Sequence, residues 1–137
     1  MMKRELTLQA VTENLDQVLA FVEENLEEWE CPLKVLMQVQ IAVEEIYVNI
    51  AKYAYKTEAG EATIRVEVKG EPRQVCITFV DQGVPYDPLA KEDPDVTLSA
   101  EERQIGGLGI FMVKKSMDDV EYMYQDGSNI LTIKKGI

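Results

Sequence analysis

Three short clusters in this chain hold residue types suited to binding a phosphorylated ligand and transferring its phosphoryl group. The first is Glu45-x-x-x-Asn49, with Lys52 close behind. At roughly 100° per residue, a helix would place all three on one stripe. Asparagine is a poor helix-interior residue, because its side chain competes for backbone hydrogen bonds. Next to a carboxylate, its side-chain carbonyl suits Mg²⁺, which takes few protein ligands and fills its octahedron with phosphates and water. A plain solvated helix face would look the same. The second cluster is Asp81-Gln82-Gly83-Val84-Pro85. Its carboxylate can accept a hydrogen bond from an exocyclic amine such as adenine N6, and its glycine lets a ligand approach the backbone. A common strand-ending Asp-x-Gly turn is the plainer alternative. The third is Gly106-Gly107-Leu108-Gly109, running into Ile110-Phe111-Met112-Val113. Glycine in a helix costs about 1 kcal/mol relative to alanine. Glycines at a helix start leave its amide donors and partial positive charge open to phosphates. A tight turn would again look alike.

The elements that must position these clusters follow from periodicity. Residues 5–9 alternate, with Leu6 and Leu8 on one face, and predict a strand. Thr12 or Asn14 would cap a helix reaching about residue 29, with Leu15, Val18, Leu19, Val22 and Leu26 as its apolar stripe. Pro32 suits the start of a second helix reaching about residue 55. Its apolar face is Leu36, Val39, Val43, Tyr47, Ile50 and Ala54, roughly opposite the Glu45 stripe. Residues 58–60 turn the chain. Ile64, Val66 and Val68 alternate with charged residues, as in a half-buried strand. After a turn at 70–73, residues 75–81 are apolar on both faces and belong near the middle of a sheet.

A long polar segment follows at 86–105, with Pro88, Pro94 and eight charged residues. Segments of that kind within a domain are usually functional lids or disordered. As a lid it would close over phosphates, with Arg103 the best-placed cation and Lys91 second. A helix at 107–117 and a hairpin pairing 120–124 with 130–134 around Asp126-Gly127 complete the chain. The order implies an α+β two-layer sandwich, a mostly antiparallel sheet with helices on one face. One domain over 1–137 is expected, with its lid at about 86–106.

Composition narrows the chemistry. With 137 residues, 46% hydrophobic and 28% charged, the chain reads as a soluble globular protein. A net charge of −11 argues against nucleic acid as a partner. No segment approaches the roughly 20 apolar residues of a membrane span. The first residues lack the apolar stretch of a signal peptide, so a cytoplasmic protein is expected. Cys31 and Cys76 are isolated thiols, expected to be buried and reduced. The absence of histidine excludes histidine bases, histidine metal ligands and autophosphorylation on histidine in this chain. ATP would bring about four negative charges, but with screening over about 8–10 Å a nearby Mg²⁺, Lys52, Arg103 and a helix N-terminus outweigh distant acids.

In this order, the three clusters resemble the N, G1 and G2 boxes of the GHKL (Bergerat-fold) ATPase superfamily. Val43-Glu44-Glu45-Ile46-Tyr47-Val48-Asn49-Ile50, Val84-Pro85-Tyr86-Asp87-Pro88-Leu89 and the segment from Gly106 through Met117-Asp118-Asp119-Val120-Glu121-Tyr122 resemble the bacterial anti-sigma-factor serine/threonine kinases. The likeness covers nearly the whole chain. It implies that Glu45 is a general base, that Asn49 binds Mg²⁺ and that Asp81 reads the adenine amine. Gly83 would permit adenine packing, while Gly107 and Gly109 with the following amides would hold phosphates. Lys52, Pro85, Arg103, Gly106, Leu108 and Ile110 would complete the ATP site. The implied activity is an ATP-dependent serine/threonine kinase acting as an anti-sigma factor, which phosphorylates an anti-anti-sigma antagonist. A homodimer and a sigma-factor partner are further implications. An alternative of another class is an ATP-gated binding module with little catalysis, against which the presence of Glu45 argues. The chain departs from the family pattern at Tyr53, where histidine is common. It departs again at Ile130, aligned with a threonine often found near the adenine on the last strand; Thr132 shares its face.

Overall fold

Alternation of apolar and polar residues sets the sheet in the computed structural model, which describes residues 2–55, 60–85 and 107–137. The expected lid at 86–106, with Lys91, Arg103 and Gly106, lies outside them, as does most of the turn at 58–60. The strands are β1 (Met2–Gln9), β2 (Glu61–Lys69), β3 (Gln74–Asp81), β4 (Asp119–Gln125) and β5 (Ser128–Gly136). They form one sheet in the order β1-β2-β3-β5-β4, antiparallel at every junction. β3 is the middle strand, as its two apolar faces predict. Val75, Ile77 and Phe79 join the core, while Cys76 and Thr78 are buried on the opposite side. The β4–β5 turn is built as expected at Asp126 (φ 53°) and Gly127 (φ 80°). Left-handed backbone at both central residues matches the twist of a two-residue hairpin and fixes its register.

Among the described residues, three α-helices cover one face of the sheet: α1 (Leu15–Glu28), α2 (Leu33–Tyr53) and α3 (Gly107–Ser116). The start of α1 differs from expectation. Neither Thr12 nor Asn14 caps it through a side chain, and a 3₁₀ turn at Thr12–Asn14 precedes it. The Asn14 amide instead donates back to the Gln9 carbonyl at 2.9 Å, closing the exit from β1. α1 buries Val18, Val22 and Leu26 as the stripe predicts. α2 packs against both other helices and buries Val35, Leu36, Val39, Ala42, Val43, Ile46 and Tyr47. Its apolar face is wider than the sequence stripe, because Ile46 also enters the core. Each large side chain so buried contributes roughly 1.5–3 kcal/mol.

Cys76 is buried, but Cys31 is only half-buried, and both are free thiols. Burial pushes both thiols above their ordinary pKa, Cys31 against the pull of Arg73 and Cys76 against that of Lys69 and Lys134. Among the described residues, no helix is long and apolar enough to cross a membrane.

Tyr47 fastens α2 to the sheet. Its ring is fully buried, and its hydroxyl donates to the carbonyls of Val11 at 2.7 Å and Gln9 at 3.1 Å. Burial is also what raises its pKa, so the hydroxyl stays a donor. Tyr47→Phe would remove both bonds and leave the two carbonyls with their local donors alone, the backbone amide of Asn14 on Val11 and those of Val11 and the Asn14 side chain on Gln9. We expect it to lower stability by about 1–2 kcal/mol, read as a reduced urea midpoint at unchanged slope.

Candidate functional site

The C-terminal half of α2, the start of α3 and the adjoining ends of β3, β4 and β5 enclose a cleft. It holds about 510 Å³ of space, open solvent at its mouth included, a size ordinary for small-molecule sites. Ile46, Ile50, Ala54, Phe79, Val84, Ile110 and Leu131 make its walls apolar, with Tyr53 and Tyr122 at their sides. Asn49, Asp81 and Asn129 are the polar residues among its lining. A flat apolar moiety with a few hydrogen-bonding edges suits such a space.

Asp81 is only 6% exposed. Burying a carboxylate is costly unless it is hydrogen-bonded, and its donors come from two elements. The Gly83 amide donates to Asp81 Oδ1 at 2.9 Å, and Asn129 Nδ2 donates to the same oxygen at 3.0 Å. The Asn129 amide also donates to the Val84 carbonyl at 2.9 Å, and the Tyr122 hydroxyl donates to Asn129 Oδ1. Nearby, Tyr55 accepts a hydrogen bond from the Gln82 amide at 2.8 Å and donates to the Glu61 carbonyl at 2.7 Å. Burial raises the Tyr55 pKa, and the adjoining Asp81 adds to the effect.

Glu45 and Asn49 sit one helical turn apart on α2, both half-buried. Neither side chain has a hydrogen bond or ion pair among the described residues. Asn49 lines the cleft, and Glu45 lies against Gly109 in the first turn of α3. A Cβ on Gly109 would overlap the Glu45 carboxylate. That glycine therefore makes room for Glu45, and it places the carboxylate at the N-terminal turn of α3.

The sequence-predicted residues thus divide. Asn49, Asp81 and Ile110 line the cleft, and Glu45 and Gly109 meet beside it. Gly107 and Leu108 are in the first turn of α3. Lys52 and Pro85 are exposed and are not lining residues. Gly83 is not a lining residue either, and its missing side chain has another cause: a Cβ there would overlap the Ala54 carbonyl at the end of α2. The Val84 amide donates to that same carbonyl at 3.0 Å. Arg103 and Gly106 lie outside the described residues.

The last strand also needs correction. Asn129, not Ile130, stands opposite Asp81 in the β3–β5 ladder, and Ile130 pairs with Val80 on the other face of the sheet. Thr132 shares that outer face and contacts Thr78 at 3.3 Å. Asn129 and Tyr122 were missed, although the hairpin register contained the signal. Leu131 and Ile133 are apolar while Thr132 and Lys134 are polar, and that alternation places Asn129 with the core-facing set and Ile130 with the outer one.

A family model described as the histidine kinase-like ATPase domain matches residues 8–135 of the chain. A Serine-protein kinase RsbW from Listeria monocytogenes is 33% identical over 101 residues, 70% of this chain and 63% of that protein. A Serine-protein kinase RsbW from Bacillus cereus is 30% identical over 100 residues, 70% of this chain and 61% of that protein. The chain therefore spans less than two thirds of the length of these relatives. The crystal structure of the RsbU and RsbW domains of a Mycobacterium tuberculosis protein superposes with a TM-score of 0.71 at 17% identity, over 99% of this chain and 32% of that one. The SiaB-SiaC complex from Pseudomonas aeruginosa gives 0.58 at 16% identity, over 96% of this chain and 89% of that one. At such identities these two likenesses are of fold.

The two glycine contacts predict opposite tolerances. Gly83→Ala meets backbone and should lower stability by about 1–3 kcal/mol. Gly109→Ala meets the flexible end of Glu45, which can swing aside, and should lower it by less. Urea denaturation of both variants checks the ranking.

Proposed function

The chain belongs to the histidine kinase-like ATPase domain family, and on that footing we propose that it is an ATP-dependent serine/threonine protein kinase. The observation that carries this reading is the meeting of Glu45 with the α3 N-terminus beside the Asn49- and Asp81-lined cleft. In the proposed arrangement adenine enters the apolar cleft with its amine toward Asp81. The phosphates run toward the amides of Gly107, Leu108 and Gly109. Asn49 offers a hard carbonyl donor with no competing partner among the described residues, which fits Mg²⁺ completed by phosphate oxygens and water. Bound there, Mg²⁺ would neutralise phosphate charge. Glu45 accepts the proton of an incoming serine or threonine hydroxyl, whose oxygen takes the γ-phosphoryl group as ADP departs.

A protein acceptor is supported by α2 itself. Leu33, Met37 and Ile41 are 69%, 58% and 64% exposed on the turns leading to Glu45, an apolar stripe of the kind protein partners cover. The relatives named serine-protein kinase support the same activity for this chain. We assign the acceptor to the anti-anti-sigma class, with the chain acting as an anti-sigma factor, a cytoplasmic single-domain homodimer. Lys52, Pro85, Arg103 and Gly106 remain assigned to the nucleotide site by family resemblance.

Asn49→Ala should weaken Mg-ATP binding by roughly tenfold or more through loss of a metal ligand; calorimetric affinity at the unaltered value removes Asn49 from the site. Glu45→Ala should keep ATP binding and slow phosphoryl transfer by about 10²-fold or more. Transfer at the original rate shows that Glu45 is not the base. Asp81→Asn should relax the ATP-over-GTP preference, and an unmoved preference excludes Asp81 from reading the base.

A further inference from the structure

We propose that Asn129 and Tyr122 are positioning residues for base recognition, a relay that leaves Asp81 with one oxygen to offer an exocyclic purine amine. The inference rests on the nucleotide reading of the cleft and adds the part that sets its specificity. Among the described residues, both hydrogen bonds to the Asp81 carboxylate fall on Oδ1, from the Gly83 amide at 2.9 Å and from Asn129 Nδ2 at 3.0 Å. The oxygen not engaged is Oδ2, on a residue that lines the cleft.

The Asn129 amide is held in one orientation. Tyr122 donates its hydroxyl proton to Oδ1, so the amide protons face Asp81 Oδ1 and the Val84 carbonyl, with the Gly83 carbonyl farther off at 3.5 Å. A reversed amide would set its carbonyl oxygen against two acceptors and its protons against the tyrosine hydroxyl. Asn129 is 7% exposed, so water offers its groups little relief.

The consequence is discrimination. A 6-amino purine donates to Asp81 Oδ2. A 6-oxo purine presents an acceptor to a carboxylate, and the neighbouring Asn129 protons that could answer it are committed elsewhere. Tyr122 keeps them committed. Without its hydroxyl, the Asn129 amide can rotate and offer a proton to a keto oxygen, at the expense of its bond to Asp81. The relay spans β3, β4 and β5, so it depends on the register that sets Asn129 opposite Asp81 and Tyr122 opposite Leu131.

Calorimetric binding of ATP and of inosine triphosphate, which carries oxygen where ATP carries the amine, tests the relay with the full chain. Tyr122→Phe should lower ATP affinity about tenfold and leave inosine triphosphate affinity within about twofold or raise it. Asn129→Asp, which turns a donor into an acceptor facing Asp81, should lower ATP affinity further. In an Asp81→Asn background, Tyr122→Phe should change ATP affinity less than about twofold, because coupled residues are not additive. Equal losses for both nucleotides, no loss for either, or an undiminished effect in the Asp81→Asn background would each overturn the relay. Each leaves the nucleotide site itself standing. No ATP binding by the unaltered protein would overturn the nucleotide reading and the relay with it.

Discussion

A carboxylate that is 6% exposed at the end of an apolar central strand must be supplied with donors, and that demand organises one end of this molecule. Asp81 takes one donor from the backbone just after its own strand and another from the neighbouring strand. The first requires the chain to bend at Gly83, where it runs against the end of α2. The second requires β5 to pair with β3 in one register, since a shift of one residue would send Asn129 to the opposite face. The two-residue turn at Asp126 and Gly127 then carries the constraint outward to β4, where Tyr122 engages Asn129. A local polar requirement is thereby built into the sheet order.

α2 supplies the other half of the site by presenting different faces along its length. Val39, Val43, Ile46 and Tyr47 fill the core, while Asn49, Ile50 and Tyr53 face the cleft and Glu45 turns toward α3. The helix is anchored by hydrophobic burial and by the Tyr47 hydroxyl, so polar groups on its remaining surface need not contribute to folding. Glu45 and Asn49 have no hydrogen bond or ion pair among the described residues, so the fold itself does not use their polar groups. Gly109 lets α3 approach close enough for its N-terminal amides to lie beside that carboxylate.

Much of this was legible in the sequence. The central place of β3 followed from apolar residues on both its faces, and the hairpin followed from Asp126-Gly127. The order of the three clusters, more than any one of them, marked Asn49, Asp81 and the glycines before Ile110. What escaped were contacts that the packing of neighbouring elements decides. Thr12 and Asn14 are both cap candidates by residue type, yet neither caps through its side chain, and Asn14 bonds backward to Gln9. Gly83 reads in the sequence as space for a ligand, and the structure adds a requirement the sequence does not show, the close approach of the end of α2. Ile130 was aligned with a family threonine by motif position, although strand alternation turns it to the outer face and brings Asn129 to Asp81. Motif spacing marked residues that line one cleft, Asn49, Asp81 and Ile110, but it does not report which neighbours hold them in place.

Kinase activity is tested by phosphoamino-acid analysis after incubating the unaltered protein with γ-labelled Mg-ATP and the small antagonist-like proteins of its source. Label is expected on a serine or threonine of one such protein, and is expected to be absent when the Glu45→Ala variant is used. Tight ATP binding without transfer to any candidate would contradict the kinase reading and would point to a nucleotide-gated binding module.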